Sequence, residues 1–140
     1  TVARTLLGLA GLLSFENHYP DQLSGGMKQR VGIVRALATS PQVLLMDEPV
    51  GALDAITRQS LQDEFARIVA AEGRTVLFVT HDLEEAIYLG DRVIALASNP
   101  GRIAEIVDID LPRPRDQLST REDGRFLDYR HRLFRHLGNH

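Results

Sequence analysis

The feature that most constrains the fold is a run of four apolar residues, Val43 to Met46, that leads directly into Asp47, Glu48 and Pro49. A short apolar run bounded by turn residues is typical of a strand buried on both faces of a parallel sheet. In such sheets, ligands bind in the crevice outside the carboxyl ends of the strands. Two acids at that position predict a site for magnesium carrying a nucleotide, since this cation takes oxygen ligands. Taken alone, these residues also fit a strand that ends in a solvated acidic turn.

Length and composition allow one ordered domain at most. The 140 residues are 44% hydrophobic, which is enough to bury a core. There is no cysteine, which excludes a disulfide framework and cysteine metal sites. The net charge of −3 indicates no general attraction to nucleic acid or to an anionic membrane. No apolar run approaches the ~20 residues needed to span a bilayer.

Strands alternate with helices along the chain, which favours an α/β fold with a mainly parallel sheet. Helices are predicted over 2–13, from Ser24 to Pro41, over 55–72, from Asp82 to Gly90, and from Ser119 or Thr120 onward; strands are predicted at 43–46, 75–80, 93–97 and 102–108. The last two strands should form a hairpin over a turn at 98–101. Pro112 and Pro114 mark a linker.

A hydroxyl and two glycines, Ser24, Gly25 and Gly26, begin the second predicted helix. Free backbone N–H groups and the helix dipole make such an end a candidate anion site. Glycine lets a phosphate approach the backbone closely. The alternative is an ordinary helix with a serine cap.

A histidine follows another predicted strand, in Thr80-His81-Asp82. Histidine at the carboxyl end of a strand can donate a hydrogen bond to a phosphoryl oxygen. By itself, His81 fits a surface histidine beside the cap of the next helix equally well.

Together these motifs are far more specific than each is alone. They are Leu-Ser-Gly-Gly at 23–26, the apolar run with Asp-Glu-Pro at 43–49, Ala-Leu-Asp at 52–54 and Thr-His-Asp at 80–82. In this order and spacing they resemble the ATP-binding-cassette (ABC) ATPase family over roughly residues 1–110. The resemblance implies the carboxyl-terminal half of a nucleotide-binding domain at 1–112, followed by a linker and an amphipathic helix at 113–140.

The resemblance also implies a role for each matching residue. Ser24, Gly25 and Gly26 match the signature motif, Asp47 the Walker B aspartate that organises magnesium, Glu48 the catalytic glutamate, Asp54 the D-loop aspartate and His81 the switch histidine. The implied cofactors are ATP and Mg²⁺. The implied partners are a second ATPase subunit in a head-to-tail dimer and membrane permease subunits, with no nucleic acid. The implied location is peripheral, at the cytoplasmic face of the membrane.

One family motif is absent from this sequence. A P-loop requires Gly-x-x-x-x-Gly-Lys-[Ser/Thr], whereas the only lysine, Lys28, lies in Met-Lys-Gln. We therefore expect a partial P-loop NTPase-type fold that lacks the Walker A strand, and an isolated chain without ATPase activity. The start at Thr1 suggests a piece of a longer protein. Met27 and Gly51 replace the commoner glutamine and serine of the family and look like tolerated variants.

The tail favours one subgroup of the family. Asn-Pro-Gly-Arg-Ile at 99–103 and Ile-Asp-Leu-Pro-Arg-Pro-Arg at 109–115 look like importer ATPases of the nitrate, sulfonate and taurine group. Nothing in these residues names the transported solute or the permease.

Two other functions are consistent with the same sequence. One is a non-catalytic truncated cassette that acts as an interaction module, and the other is a soluble ABC ATPase of DNA repair or translation. A Gly-Lys-Ser/Thr upstream of this chain would separate the first from a working ATPase. Because the strand expected beside 75–80 is missing, we also expect association through that edge.

Overall fold

A computed structural model describes residues 2–49 and 54–137 of the chain. Within these residues, helices and strands alternate from the second helix to the third strand, and a fourth strand and two further helices follow. The helices are α1 (Val2–Leu9), α2 (Gly25–Leu37), α3 (Ala55–Glu72), α4 (Leu83–Leu89), α5 (Ser119–Glu122) and α6 (Gly124–Phe134); the strands are β1 (Val43–Asp47), β2 (Thr75–Val79), β3 (Arg92–Ala97) and β4 (Arg102–Asp108). Short 3₁₀ turns lie at Leu13–Phe15 and Pro20–Gln22. No helix among the described residues is both long and apolar enough to cross a membrane.

The chain divides into two compact units, residues 1–79 and 80–140. The domain boundary predicted after residue 112 follows the family resemblance and stays a prediction. The residues after it belong to the second unit, where α6 packs against α4.

In the first unit, β1 and β2 form a parallel pair in register from Val43 opposite Thr75 to Asp47 opposite Val79. The helix α3 connects the two strands, as a parallel pair requires. It ends at Gly73, whose φ of +64° is the left-handed conformation that glycine adopts without strain. This parallel pair with its helices confirms the predicted α/β class.

One face of this pair is packed and the other is not. Leu44 is buried, and the Phe78 ring lies 5.3 Å from the ring of Phe65 on α3. On the opposite face, Leu45 is 70% exposed and Leu77 is 52% exposed. The prediction that β1 is buried on both faces is therefore wrong for the structure as described. The physical reason is that the described helices of this unit cover one face, whereas a strand buried on both sides needs helices on both.

The first helix is shorter than predicted. It ends at Leu9 instead of residue 13, because Gly11 turns the chain with a φ of +70°. Two arginines from neighbouring helices bind the carbonyl oxygens at its end: Arg30 donates to Ala10 at 3.3 Å, and Arg67 donates to Leu9. These contacts place cations at a helix carboxyl end, where the dipole favours them.

In the second unit, β3 and β4 form the predicted antiparallel hairpin, with an irregularity between Ala95 and Leu96. The buried core of this unit consists of Ile87, Tyr88, Val93, Val107, Ile109, Leu111, Phe126 and Leu133. The predicted cap of the final helix at Ser119 or Thr120 is wrong for α6. Its N-cap is Asp123, whose side chain accepts a hydrogen bond from the backbone N–H of Arg125.

A cluster of charges joins α6 to the hairpin. Glu105 of β4 accepts hydrogen bonds from Arg132 Nε at 2.5 Å and Arg135 Nη2 at 3.2 Å, and its Oε2 lies 2.7 Å from His136 Nε2. These partners, led by His136 and Arg132, lower the pKa of Glu105 to about 2. The amphipathic carboxyl-terminal helix is thus fixed by apolar residues at its core face and by this cluster at its end.

Candidate functional site

The start of α2 has the geometry predicted for Ser24. The Ser24 Oγ accepts a hydrogen bond from the backbone N–H of Met27 at 3.2 Å, so Ser24 is the N-cap of α2. Gly25 and Gly26 lie in the first turn, where backbone N–H groups have no partner within the helix. There is no acidic side chain in this turn. The start of α2 therefore suits an anion both by its N–H groups and by its local charge.

The start of α3 is capped by Asp54, as predicted. The Asp54 Oδ1 accepts a hydrogen bond from the backbone N–H of Thr57 at 2.8 Å. The Asp54 Oδ2 accepts a second one from the Thr57 hydroxyl at 3.0 Å. These bonds, the backbone one first, hold the pKa of Asp54 below its usual range. Sequence reasoning missed Thr57. The spacing Asp-x-x-Thr could have identified it, because an N-cap side chain reaches the residue three positions on.

The two helix starts lie next to each other within the first unit. A methyl group placed on Gly26 would lie 3.6 Å from Cγ2 of Thr57, an ordinary van der Waals distance. The structure therefore brings the Ser24–Gly26 segment and the Asp54 cap into one region. Of the turn that we predict at Gly51-Ala52-Leu53-Asp54, only Asp54 is among the described residues.

Asp47 and Glu48 lie at the carboxyl end of β1. Asp47 is the last paired residue of the strand and is exposed. Glu48 follows with a φ of +46°, a left-handed conformation that a residue with a side chain adopts at a cost of about 1–2 kcal/mol. Such backbone outliers cluster at functional sites, where the surrounding structure enforces them.

These two carboxylates fit one kind of metal site. No group of three or more His, Cys, Asp or Glu side chains within 2–49 and 54–137 is arranged to hold a metal ion. Magnesium, however, commonly binds proteins through one or two carboxylates, with waters and substrate phosphates completing its shell. The donor chemistry of Asp47 and Glu48 thus suits magnesium that arrives with a nucleotide.

His81 belongs to the second unit. It is exposed and lies directly before Asp82, the N-cap of α4. The Oδ1 of Asp82 accepts from the backbone N–H groups of Glu84 at 3.0 Å and Glu85 at 3.2 Å. The Thr80 hydroxyl accepts from the backbone N–H of Asp82 at 3.0 Å. The residues on both sides of His81 are therefore fixed by hydrogen bonds.

Comparison with known proteins supports the assignment that the motifs predict. The model of the family described as ABC transporter matches residues 2–51. An uncharacterised ABC transporter ATP-binding protein of Methanocaldococcus jannaschii is 53% identical over 132 residues, which are 94% of this chain and 48% of that protein. The chain belongs to the ABC transporter family of ATP-binding proteins. The nitrate import ATP-binding protein NrtD of Synechococcus elongatus is 46% identical over 138 residues, covering 93% of this ABC chain and 50% of NrtD.

This ABC chain spans about half the length of these two relatives. Its fold also matches a solved structure described as a metal-chelate type ABC transporter in an inward-facing conformation. The TM-score is 0.65 at 23% sequence identity, over 77% of this chain and 42% of the other. That likeness confirms the predicted fold class, a partial ABC ATPase fold.

Proposed function

We propose that this chain forms the carboxyl-terminal part of the ATP-hydrolysing subunit of an ABC importer for a small solute. One observation carries the proposal. The helix start at Ser24, the carboxylates at the end of β1 and the Asp54 cap occupy one compact unit of a chain that belongs to the ABC family. Relatives such as NrtD, whose name states nitrate import, support an importer of the nitrate, sulfonate and taurine type.

The start of α2 contributes to an ATP molecule held mainly by the opposite subunit. The Ser24 region binds the γ-phosphate through its hydroxyl and the free N–H groups of Gly25 and Gly26. The absence of an acidic side chain from the described first turn supports this role, because a carboxylate there would repel the phosphate. Asp54, close to the same helix start, lies at the interface between the two subunits of the head-to-tail dimer.

The end of β1 supplies the groups for hydrolysis. Asp47 would hold the Mg²⁺ that accompanies ATP, which would supply positive charge to neutralise the phosphates. Glu48 orients the attacking water and accepts its proton. The strained backbone of Glu48 supports this assignment, since strain is retained where a side chain must be held in place. Hydrolysis of this kind depends mainly on positioning and charge stabilisation.

His81 donates a hydrogen bond to the γ-phosphate. Its exposed position at the amino-terminal end of α4 supports this role, because the side chain is accessible to a ligand. Its backbone lies between the hydrogen-bonded residues Thr80 and Asp82, which limits the movement of the His81 backbone.

The proposed partners are a second ATPase subunit and membrane permease subunits, at the cytoplasmic face of a membrane. The test is reconstitution of the full-length subunit with its permease in lipid vesicles. We expect ATP hydrolysis that rises when nitrate, a sulfonate or taurine is supplied with its binding protein. Hydrolysis that none of these solutes stimulates would contradict the importer subgroup, and an inability to hydrolyse ATP would contradict the proposed activity.

A further inference from the structure

The segment Leu111-Pro112-Arg113-Pro114-Arg115 has a structural role that its sequence does not reveal. It follows β4 and returns to the carboxyl end of α4. Arg113 Nη2 donates to the carbonyl oxygen of Leu89 at 2.8 Å and to Asp91 Oδ1 at 2.9 Å. Arg115 reaches the same helix end, so two arginines of one segment act on one helix.

Arg115 makes the more extensive contact. Its Nη1 lies within hydrogen-bond distance of three carbonyl oxygens, those of Ile87 at 3.2 Å, Tyr88 at 2.9 Å and Gly90 at 2.7 Å. The last carbonyls of a helix have no partner within it, and a cation is favoured at that end. Burial lowers the pKa of Arg115 to about 10, so the guanidinium stays charged at neutral pH.

The contact is reciprocal. The Tyr88 hydroxyl donates to the carbonyl oxygen of Arg115 at 3.1 Å, and the Tyr88 side chain is buried. The guanidinium of Arg121 lies 5.1 Å from the centre of the Tyr88 ring. Both the side chain and the backbone of Arg115 are therefore bound to the last turn of α4.

The other end of the same helix bears His81. With seven residues, α4 is about 10 Å long and shorter than two full turns. Ile87 and Tyr88 anchor it in the core of the second unit. A helix of less than two turns moves as one rigid element, so a shift at its carboxyl end is transmitted to its amino end.

We propose that Arg115 is a positioning residue for ATP hydrolysis: by binding the carboxyl end of α4, it holds the helix, and with it His81, in place. This inference rests on the proposed function, because it takes from it the contact of His81 with the γ-phosphate. It assigns no contact between Arg115 and the nucleotide. Loss of the guanidinium frees the last turn of α4 and lets His81 move. A misplacement of about 1 Å can lower a rate by up to ~100-fold.

The test uses the full-length subunit assembled with its permease. Arg115→Met keeps the aliphatic stem and removes the donors, and Arg115→Lys retains a cation with three donors. Arg102→Met is the matched control, because Arg102 is an exposed arginine of β4 that donates to Pro100. Each change is made with His81 present and in a His81→Ala background, and kcat, KM for ATP and the melting temperature are measured.

We expect Arg115→Met to lower kcat by about 10- to 100-fold while KM for ATP changes less than about twofold. Arg115→Lys should recover most of the loss, and Arg102→Met should have no effect. In the His81→Ala background, Arg115→Met should lower kcat by less than about twofold further, because its effect passes through His81.

The following results would overturn the inference. An unchanged kcat in Arg115→Met would exclude a positioning role. If Arg115→Met lowers kcat by the same factor with and without His81, Arg115 does not act through His81. If Arg115→Met does not fold, Arg115→Gln, which keeps an amide donor but removes the charge, replaces it in both backgrounds, and an equal loss in the two backgrounds rejects the proposal. If His81→Ala itself leaves turnover unchanged, the proposed role of His81 fails, and the inference fails with it. If His81→Ala lowers turnover and Arg115→Met causes the same loss in both backgrounds, the inference is rejected and the proposed function is not.

Discussion

The backbone N–H of Glu48 donates a hydrogen bond to the carbonyl oxygen of Val79 at 2.8 Å. This bond lies one residue beyond the last residue of β1, so the parallel ladder continues into the left-handed conformation of Glu48. The backbone that carries the Glu48 carboxylate is therefore held by the sheet. Such an arrangement suits a group that must be in place before its substrate arrives.

Replacing Glu48 by glutamine should preserve ATP binding and remove most turnover in the full-length subunit. Glutamine has the same shape but cannot accept a proton from water, and general-base groups contribute roughly 10²–10⁴ in rate. The measurement is single-turnover hydrolysis beside nucleotide affinity. Glu122→Gln, an exposed substitution on α5, is the control. A Glu48→Gln rate within about twofold of wild type would reject the catalytic assignment.

The conformation of Glu48 makes a separate prediction about stability. Asparagine tolerates a positive φ, whereas a β-branched residue does not. Glu48→Val should therefore lower the free energy of unfolding by about 1–2 kcal/mol more than Glu48→Asn does. Thermal unfolding of both variants measures the difference. Equal stabilities would indicate that the backbone of Glu48 is not held at a φ of +46°.

Some helix boundaries were predictable from local signals, although the end of α1 and the cap of α6 were not. Ser24 and Asp54 cap α2 and α3 as their side-chain chemistry predicts, and Gly73 ends α3. The exposure of Leu45 was not predictable, because burial of a strand face depends on which elements cover it. The φ of Glu48 was equally inaccessible, since it follows from the bond to another strand.

The candidate site was likewise predictable where short sequence motifs identify its residues, and not where contacts join residues distant in sequence. Motif order identified the candidate residues Ser24, Asp47, Glu48, Asp54 and His81, and their catalytic and binding roles stay predictions. The contacts of Arg115 with α4 could not be read from the sequence. They join residues more than twenty positions apart, and no short spacing rule covers such a pair.

Two substitutions separate the capping role of Ser24 from its proposed role in the dimer. Ser24→Ala removes the side-chain acceptor for Met27 and should cost about 1 kcal/mol of stability. Ser24→Arg adds bulk at the helix start, so it should block hydrolysis in the dimer without weakening ATP binding by the monomer. Hydrolysis and monomer ATP affinity are measured together. If Ser24→Arg lowers both to the same extent, the role across the dimer is wrong.

The Glu105 cluster predicts that the stability of the fold depends on pH in the acidic range. The pKa of Glu105 is about 2 in the folded protein, below the ordinary value of 4.5. The stabilisation of the folded state by the ionised carboxylate is therefore complete above pH 4.5 and is lost as the pH falls toward 2. Glu105→Gln should therefore lower the melting temperature at pH 7, and the difference from wild type should shrink between pH 4.5 and pH 2. A difference that does not change with pH would show that the ionised carboxylate contributes nothing.

The uncovered face of β1 and β2 predicts association of the isolated 140-residue chain. Leu45 lies opposite Leu77 on this face, and both are more than half exposed. Sedimentation at micromolar concentration should show oligomers. A double change of Leu45 and Leu77 to lysine should increase the monomer fraction, because charge opposes such contacts. Ile56→Lys, an exposed apolar position on α3, is the control. A stable wild-type monomer with a cooperative melt would contradict the prediction.

The two strand pairs also differ in the length of chain that must be closed to form them. The hairpin joins Ala97 to Arg102 across a tight turn, whereas β1 meets β2 only when Val43 reaches Thr75 with α3 folded between them. Closing a longer loop costs more entropy, and pairings distant in sequence form more slowly. During refolding, amide hydrogens of β3 and β4 should therefore become protected from exchange before those of β1 and β2.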